Sequence, residues 1–224
     1  LDSKTKKVLS YTNKLNIIYD KDITADPETQ KVIDKWNKII DEKTKEVVGK
    51  TEVTLTRSYG TESLLGNLIA DAIVYSAESK GEKPDFAVTN SGGIRTDIEK
   101  GNITQKDIIG AFPFPNALTV LNLSGKDIIS MFEHAAGLTN GVLQVSHGLV
   151  MEYDPAKEAG SRITKLELNG KKIDPNKKYR VATNDFLANG GDGFSQFLSG
   201  TERNDVNGYM MYNAILDYLK YKKV

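Results

Sequence analysis

Three glycines fall within four positions of the segment Asn184-Asp185-Phe186-Leu187-Ala188-Asn189-Gly190-Gly191-Asp192-Gly193-Phe194. Neither a helix nor a strand tolerates that density, because each glycine loses the most backbone entropy on ordering and brings no side chain to pack. Residues 179–183, just before it, have strand composition (Tyr-Arg-Val-Ala-Thr). The segment is therefore expected to be a loop at the end of a sheet, where rigid scaffolds present ligand-contacting groups. Within it, Asp192 can accept hydrogen bonds from two vicinal hydroxyls, as on a ribose, and Phe186 can stack on a flat base. Taken alone, the segment favours an ordinary turn with a capping Asp and a core Phe.

A second glycine-marked loop, Thr89-Asn90-Ser91-Gly92-Gly93-Ile94-Arg95, follows a short apolar strand at residues 86–88. Adjacent glycines let a backbone approach a ligand closely, and the N–H groups of such a turn suit an anion. Asn90 brings a donor and an acceptor, and the Arg95 fork matches phosphate or carboxylate. A plain Gly-Gly turn with a surface Arg fits the same residues equally well. The third segment is Phe112-Pro113-Phe114-Pro115. Its prolines hold it extended, so that one ring, Phe114, is presented while Phe112 packs in the core.

Between these loops the hydrophobic periodicity alternates between helix and strand. Asp26-Pro27-Glu28 opens a helix running to about residue 45, with Asp as N-cap and Pro at the first helical position. Val32, Ile33, Trp36, Ile39 and Ile40 recur on it at helical spacing, and Trp36 is expected to anchor that face against the core. Residues 53–57 alternate as a strand. Residues 62–78 form an amphipathic helix with Leu65, Leu68, Ile69, Ala72, Ile73 and Ala77 on one face. Thr104 with Asp107, and Ser124 with Asp127, predict capping boxes opening two more helices, with a strand at 117–123 between them. Strands are expected at 149–153 and 163–168, with Asn169-Gly170 as a hairpin turn, and a final helix at 206–221. Residues 1–25, with the short apolar pairs Val8-Leu9 and Ile17-Ile18-Tyr19, read as a hairpin or tail leading into a linker, and Lys220, Lys222 and Lys223 as a solvated end. Mixed elements without strict βα alternation give an α/β (α+β) fold class.

Composition removes several chemistries. The chain has 224 residues, 39% hydrophobic, enough for one sizeable core. Its 30 basic and 30 acidic residues cancel, so no global field draws a nucleic acid polymer or an anionic membrane. With no cysteine, disulfide scaffolds, thiol catalysis and zinc ribbons are excluded. No apolar run approaches a membrane span, and the start, Leu1-Asp2-Ser3-Lys4, shows no signal peptide or initiator Met, as a processed or excised fragment would. His134 and His147 are unclustered, so packing is expected of both rather than metal ligation, and a di-metal centre needs more ligands than these. Gly125-Lys126-Asp127 lacks the remainder of a phosphate-binding Walker loop. Asn102-Ile103-Thr104 and Asn122-Leu123-Ser124 match the glycosylation sequon, but their hydroxyls are better explained as helix caps.

Taken in order, Glu62-Ser63-Leu64-Leu65-Gly66-Asn67-Leu68-Ile69-Ala70-Asp71-Ala72, Asn90-Ser91-Gly92-Gly93-Ile94-Arg95, Pro113-Phe114 and Phe186–Phe194 resemble the C-terminal domain of the 5'-nucleotidase family, over about residues 20–220. The helix opening at Asp26 is similar to the family's inter-domain helix. The resemblance implies a four-layer α/β/β/α domain over residues 26–224, with 1–25 as a remnant of a preceding domain and linker. It implies a nucleotide or nucleoside substrate, with the base between Phe114 and Phe186, the ribose hydroxyls on Asp192, Asn90 at the base and Arg95 on the phosphate side; Gly92, Gly93 and Gly191 complete the substrate-binding set. Where the family carries a second substrate Arg, seven residues before the Gly that aligns with Gly66, this chain has Tyr59, and Arg57 is carried as its substitute. Leu64 stands where many members have Asn.

By the same resemblance, the enzyme is a phosphoric ester hydrolase whose two divalent metal ions and catalytic residues belong to an N-terminal metallophosphoesterase domain acting in cis. The present chain would then bind no cofactor and be inactive alone, in an extracellular, cell-wall or periplasmic protein. Two other expectations fit the same fold: a non-catalytic nucleotide-binding or cell-surface interaction module, and a relative acting on 2',3'-cyclic nucleotides or nucleotide sugars.

Overall fold

Parallel pairing of two strands sets the geometry of this molecule. In the computed structural model, which describes residues 1–17, 23–139 and 141–222, the chain divides into two units, Leu1–Glu42 and Lys43–Val224. The readings of Ile18, Tyr19 and Lys223 lie outside the described residues.

In the first unit the Asp2 carboxylate accepts from the amide of Thr5 (2.6 Å), its hydroxyl (2.8 Å) and the amide of Lys4 (3.0 Å), closing a small turn. The described residues from there to 17 form no strand, so the hairpin alternative is replaced by an irregular tail. Helix α1 (Pro27–Thr44) starts as its sequence predicts, with Asp26 capping the Thr29 amide at 2.8 Å. Its apolar stripe is not buried: Trp36 is 55% exposed, and Val32 and Ile33 are exposed too. The expected core anchor at Trp36 is corrected accordingly, because the described residues of this unit form no second regular element for that face to pack against.

In the second unit, β1 (Val47–Thr51) pairs antiparallel with β3 (Gly101–Thr104). The strand expected at 53–57 is absent; only Leu55 pairs, in a single bridge to Ile98. Alternation alone does not make a strand without a partner edge, and the Val47–Thr51 stretch is the one that finds it. The other elements are α2 (Leu64–Ser79), β2 (Phe86–Asn90), α3 (Gln105–Ala111), β4 (Ala117–Ser124), α4 (Gly125–Ala135), β5 (Leu143–Val145), β6 (Leu149–Tyr153), β7 (Ile163–Leu168), β8 (Lys171–Lys172), β9 (Lys178–Asn184), α5 (Asp185–Ala188), β10 (Thr201–Met210) and α6 (Met211–Lys222). Thr104 and Asp107 form the full reciprocal capping box, and Ser124 caps the amide of Asp127. Asn169 and Gly170 both have positive φ (50° and 74°), as a two-residue hairpin of the primed type requires. Residues 206–210, which the periodicity assigns to the start of the last helix, are instead the end of the strand β10. Gly208 at φ 66° is incompatible with a right-handed helix there, and the helix begins at Met211.

The central sheet has the order β10-β4-β9-β2-β5, and only β2 and β9 run parallel. Alternate residues of its strands feed two cores. Ala87, Leu118, Val120 and Ala182 face Leu65, Ile69 and Ile73 of α2, with α3 and α6 beside it. Phe86, Val88, Leu121, Leu123 and Val181 face Ile128, Met131 and Phe132 of α4. Leu149 and Leu166 of a second sheet, β6-β7-β8, join this latter core. The mixed α/β architecture expected from the sequence is the one observed. Because β2 and β9 are parallel neighbours, their C-terminal ends emerge at the same sheet edge. The register Leu118↔Asn184 brings the N-terminal end of β4 to that edge as well.

Candidate functional site

Three loops leave that edge, and each carries one of the sequence-marked segments. After β2 the chain enters a tight 3₁₀ turn, Ser91–Gly93; after β9 comes α5 and a second turn, Gly191–Gly193; residues 112–115 run into β4. Between them lies a cavity of about 400 Å3 lined by Tyr59, Asn90, Gly92, Gly93, Arg95, Phe114, Asn116, Thr139, Phe186 and Asp192.

The aromatic rings are the clearest anomaly. Phe112 is buried in the core, as expected, but Phe114 and Phe186 are each 41% exposed at the cavity. Exposing this much ring to water forgoes burial that a core Phe would gain, on the order of 1.5–3 kcal/mol for a whole side chain. The flanking prolines keep Phe114 out of the core, and the Arg95 guanidinium sits 5.9 Å from its ring centroid, in cation–π range. Arg95 also donates to the Gly92 carbonyl at 3.1 Å, which fixes the fork at the cavity wall. Behind Phe186 stands Gly191: a Cβ there would lie 2.6 Å from two ring carbons and from the Phe186 carbonyl oxygen. Gly191 does not line the cavity; it makes room for the ring that does.

Asp192 sits at φ 52°, ψ 20°, between Gly190 (φ 82°) and Gly193 (φ 80°). A non-glycine residue in the left-handed region needs support from its surroundings. His134 gives it: its Nε2 lies 2.9 Å from the Asp192 carbonyl oxygen. A carbonyl only accepts, so Nε2 carries the proton. The imidazole is seated edge-on against buried Phe194, 4.7 Å between centroids. His134 is thus committed to the loop.

The Asp192 carboxylate meets the other glycine loop directly, where Asn90 Nδ2 donates to its Oδ2 at 3.1 Å. Asn184, 1% exposed, donates to Asn90 Oδ1 at 3.1 Å and to Thr89 Oγ1 at 3.3 Å, while its own oxygen accepts from the Leu187 amide at 2.9 Å. A second buried amide, Gln144, ties the Tyr59 loop to the Ser91 turn: it donates to Thr61 O (3.0 Å) and Ser91 Oγ (2.9 Å) and accepts from Ser63. Both tie residues more than 50 positions apart, so no local sequence signal marks them.

Of the residues the sequence singled out, Asn90, Gly92, Gly93, Arg95, Phe114, Phe186 and Asp192 share this cavity. Arg57 does not line it. Its amide donates to Asp97 at 2.9 Å, its Nε is 3.8 Å from the same oxygen, and its guanidinium lies 5.2 Å from the Tyr59 ring, whose residue forms the cavity wall instead. Asn116 and Thr139 carry no sequence signal for the site. Asn116 is held by donating to Asp185 at 2.9 Å, a contact only the β4–β9 pairing creates. Among the described residues, no three His, Cys, Asp or Glu side chains gather in a group able to hold a metal ion.

Comparison with known proteins gives concordant similarities. A family model described as "5'-nucleotidase, C-terminal domain" matches residues 44–199. An apyrase of Tabanus yao is 30% identical over 92% of the chain, and a 5'-nucleotidase of Homo sapiens is 29% identical over all of it. The crystal structure of a 5'-nucleotidase precursor from Thermus thermophilus superimposes with a TM-score of 0.78 at 33% identity, over 88% of this chain and 40% of that one. The chain spans 41% and 42% of the lengths of the two curated relatives.

Proposed function

The chain belongs to the 5'-nucleotidase family, as its C-terminal domain, and from that premise we propose that the cavity at the β2/β9 edge grips a nucleoside or nucleotide for a phosphoester hydrolase. The supporting observation is one convergence: two half-exposed phenylalanine rings, a carboxylate and a guanidinium around about 400 Å3. A flat base fits between Phe114 and Phe186. Vicinal ribose hydroxyls suit the free lone pairs of Asp192, since a carboxylate offers about four acceptor sites and Asn90 uses one. A phosphate is drawn toward Arg95 by charge and fork geometry.

The relatives are more than twice the length of this chain. Hydrolysis is proposed to belong to a metallophosphoesterase domain of the whole protein, where two divalent ions would activate water and neutralise phosphate charge. An extracellular, cell-wall or periplasmic location is proposed with it. Among the described residues no helix is long and apolar enough to cross a membrane.

Calorimetric titration of adenosine into this chain tests the assignment. Wild type is expected to bind, and Phe186→Ala to bind more weakly by about 1–3 kcal/mol, the contribution of one stacked ring. Equal affinities for the two proteins would remove the stacking role from Phe186.

A further inference from the structure

We propose that Asn184, which does not line the cavity, is the positioning residue that sets the polarity of the Asn90–Asp192 pair and so gives the site its preference for a vicinal diol; this rests on the nucleoside assignment above. The polarity follows from one group that cannot be reversed. The backbone N–H of Leu187 can only donate, so the Asn184 atom 2.9 Å from it is the carboxamide oxygen. The NH2 end of Asn184 therefore points away, and its two hydrogens meet Asn90 Oδ1 at 3.1 Å and Thr89 Oγ1 at 3.3 Å. Asn90 is fixed in turn: with its oxygen held by Asn184, its NH2 faces Asp192 Oδ2 at 3.1 Å.

Two amide orientations thus propagate from the first turn of α5 to the carboxylate at the cavity. Asn184 is 1% exposed, so water does not substitute for any of its three partners without disruption. Were Asn90 reversed, its carbonyl oxygen would face the Asp192 carboxylate, two acceptors with no proton between them. The carboxylate would turn away, and the acceptor geometry for two adjacent hydroxyls would be lost. Stacking on Phe114 and Phe186 does not depend on this chain of amides and would persist.

Asn184→Asp separates the relay from the fold. An Asp is as good a helix N-cap as Asn, so the Leu187 amide keeps its acceptor. The donor toward Asn90 is replaced by an oxygen, which favours the reversed Asn90. Asn184→Ser, also a capping residue, replaces the carboxamide NH2 with a shorter hydroxyl without adding charge. Adenosine and 2',3'-dideoxyadenosine are titrated into wild type and both variants at neutral pH, with thermal unfolding confirming that each is folded. Wild type is expected to prefer adenosine by about 10-fold or more, the weight of a hydrogen bond to a charged acceptor. In Asn184→Asp the preference should fall to about twofold or less, with dideoxyadenosine affinity changed by less than about threefold; Asn184→Ser should lie between.

A preference retained in both folded variants would overturn the positioning role and leave the nucleoside assignment standing. Parallel weakening of both ligands would also overturn it, since that marks general loosening rather than lost diol recognition. A wild type that shows no preference would remove the diol role of Asp192, and the role of Asn184 with it.

Discussion

Gly191 and Phe186 are five residues apart and in contact, and the contact fixes where the ring can be. The space a Cβ would need at Gly191 is already taken by the ring and by the Phe186 carbonyl, both at 2.6 Å. The ring end is free to swing, but the carbonyl is backbone at the head of α5 and is not. Gly191→Ala should therefore displace the ring from the cavity. Adenosine affinity should drop about as far as in Phe186→Ala, on the order of 1–3 kcal/mol, and combining the two substitutions should cost little more than either alone. Additive losses in the titration would show that Gly191 acts elsewhere. At this scale the sequence is informative where chemistry is local. A Gly-Gly turn after a strand, a proline-flanked Phe and an Asp among glycines are each compatible with an ordinary turn or core when taken alone and point to a site only when taken together in order; Asn90, Arg95, Phe114, Phe186 and Asp192 do share one cavity. It is uninformative where a role is made by long-range contact. Asn184 looks like a plain N-cap until the parallel β2–β9 pair sets it beside Asn90. Arg57 passes as a ligand group because nothing local ties it to Asp97, forty residues away.

Between elements, a single carboxylate does the work of a clamp. Glu82, in the turn after α2, accepts from Arg180 of β9 through both Nη2 (2.6 Å) and Nε (3.1 Å), and from Asn204 of β10 at 2.7 Å. The Asn204 hydrogen bond contributes most to holding its pKa below the ordinary carboxylate value; burial opposes it, and the Arg180 hydrogen bond and charge reinforce it. A folded-state pKa below the unfolded one means stability that is fully present above the ordinary Glu value, about 4.3, and is lost as pH falls through the depressed value. Glu82→Gln should accordingly lower Tm at pH 7 by several degrees, from a loss of about 1.5–3 kcal/mol for hydrogen bonds to a charged group. The gap between the two proteins should close in acid, below the folded Glu82 value. A gap of constant size in differential scanning calorimetry from pH 7 to pH 3 would show that the charge of Glu82 is not what stabilises the clamp. Elements themselves are legible where periodicity and capping agree, as in α2, α3 and α4. They are misplaced where pairing decides. The alternation at 53–57 finds only the single Leu55–Ile98 bridge, while Val47–Thr51 finds β3; residues 206–210, where periodicity predicts the start of the last helix, are the end of the strand β10 beside β4.

For the whole molecule, the division of the chain and the location of the cavity make a joint statement. The described residues lining the cavity, from Tyr59 to Asp192, belong to the unit Lys43–Val224, as do the supporting side chains Asn184, Gln144 and His134. The family similarity covers nearly the same stretch, residues 44–199. A chain trimmed to residues 43–224 should therefore keep adenosine affinity to within about twofold, as a unit with its own core does. Neither the trimmed nor the full 224-residue chain supplies a metal-binding group among its described residues. With adenosine monophosphate and millimolar Mg2+, Mn2+ or Zn2+, both are expected to bind the nucleotide and release no phosphate above the uncatalysed background. Neutral overall charge gives no long-range attraction for the phosphate, so any preference for the monophosphate over adenosine should come from Arg95 alone. It should shrink with added salt and vanish in Arg95→Gln while adenosine affinity stays level. Phosphate release by the isolated chain, stoichiometric with nucleotide consumed and abolished in Asp192→Asn, would place the hydrolytic chemistry at this cavity and end the division of labour proposed for it.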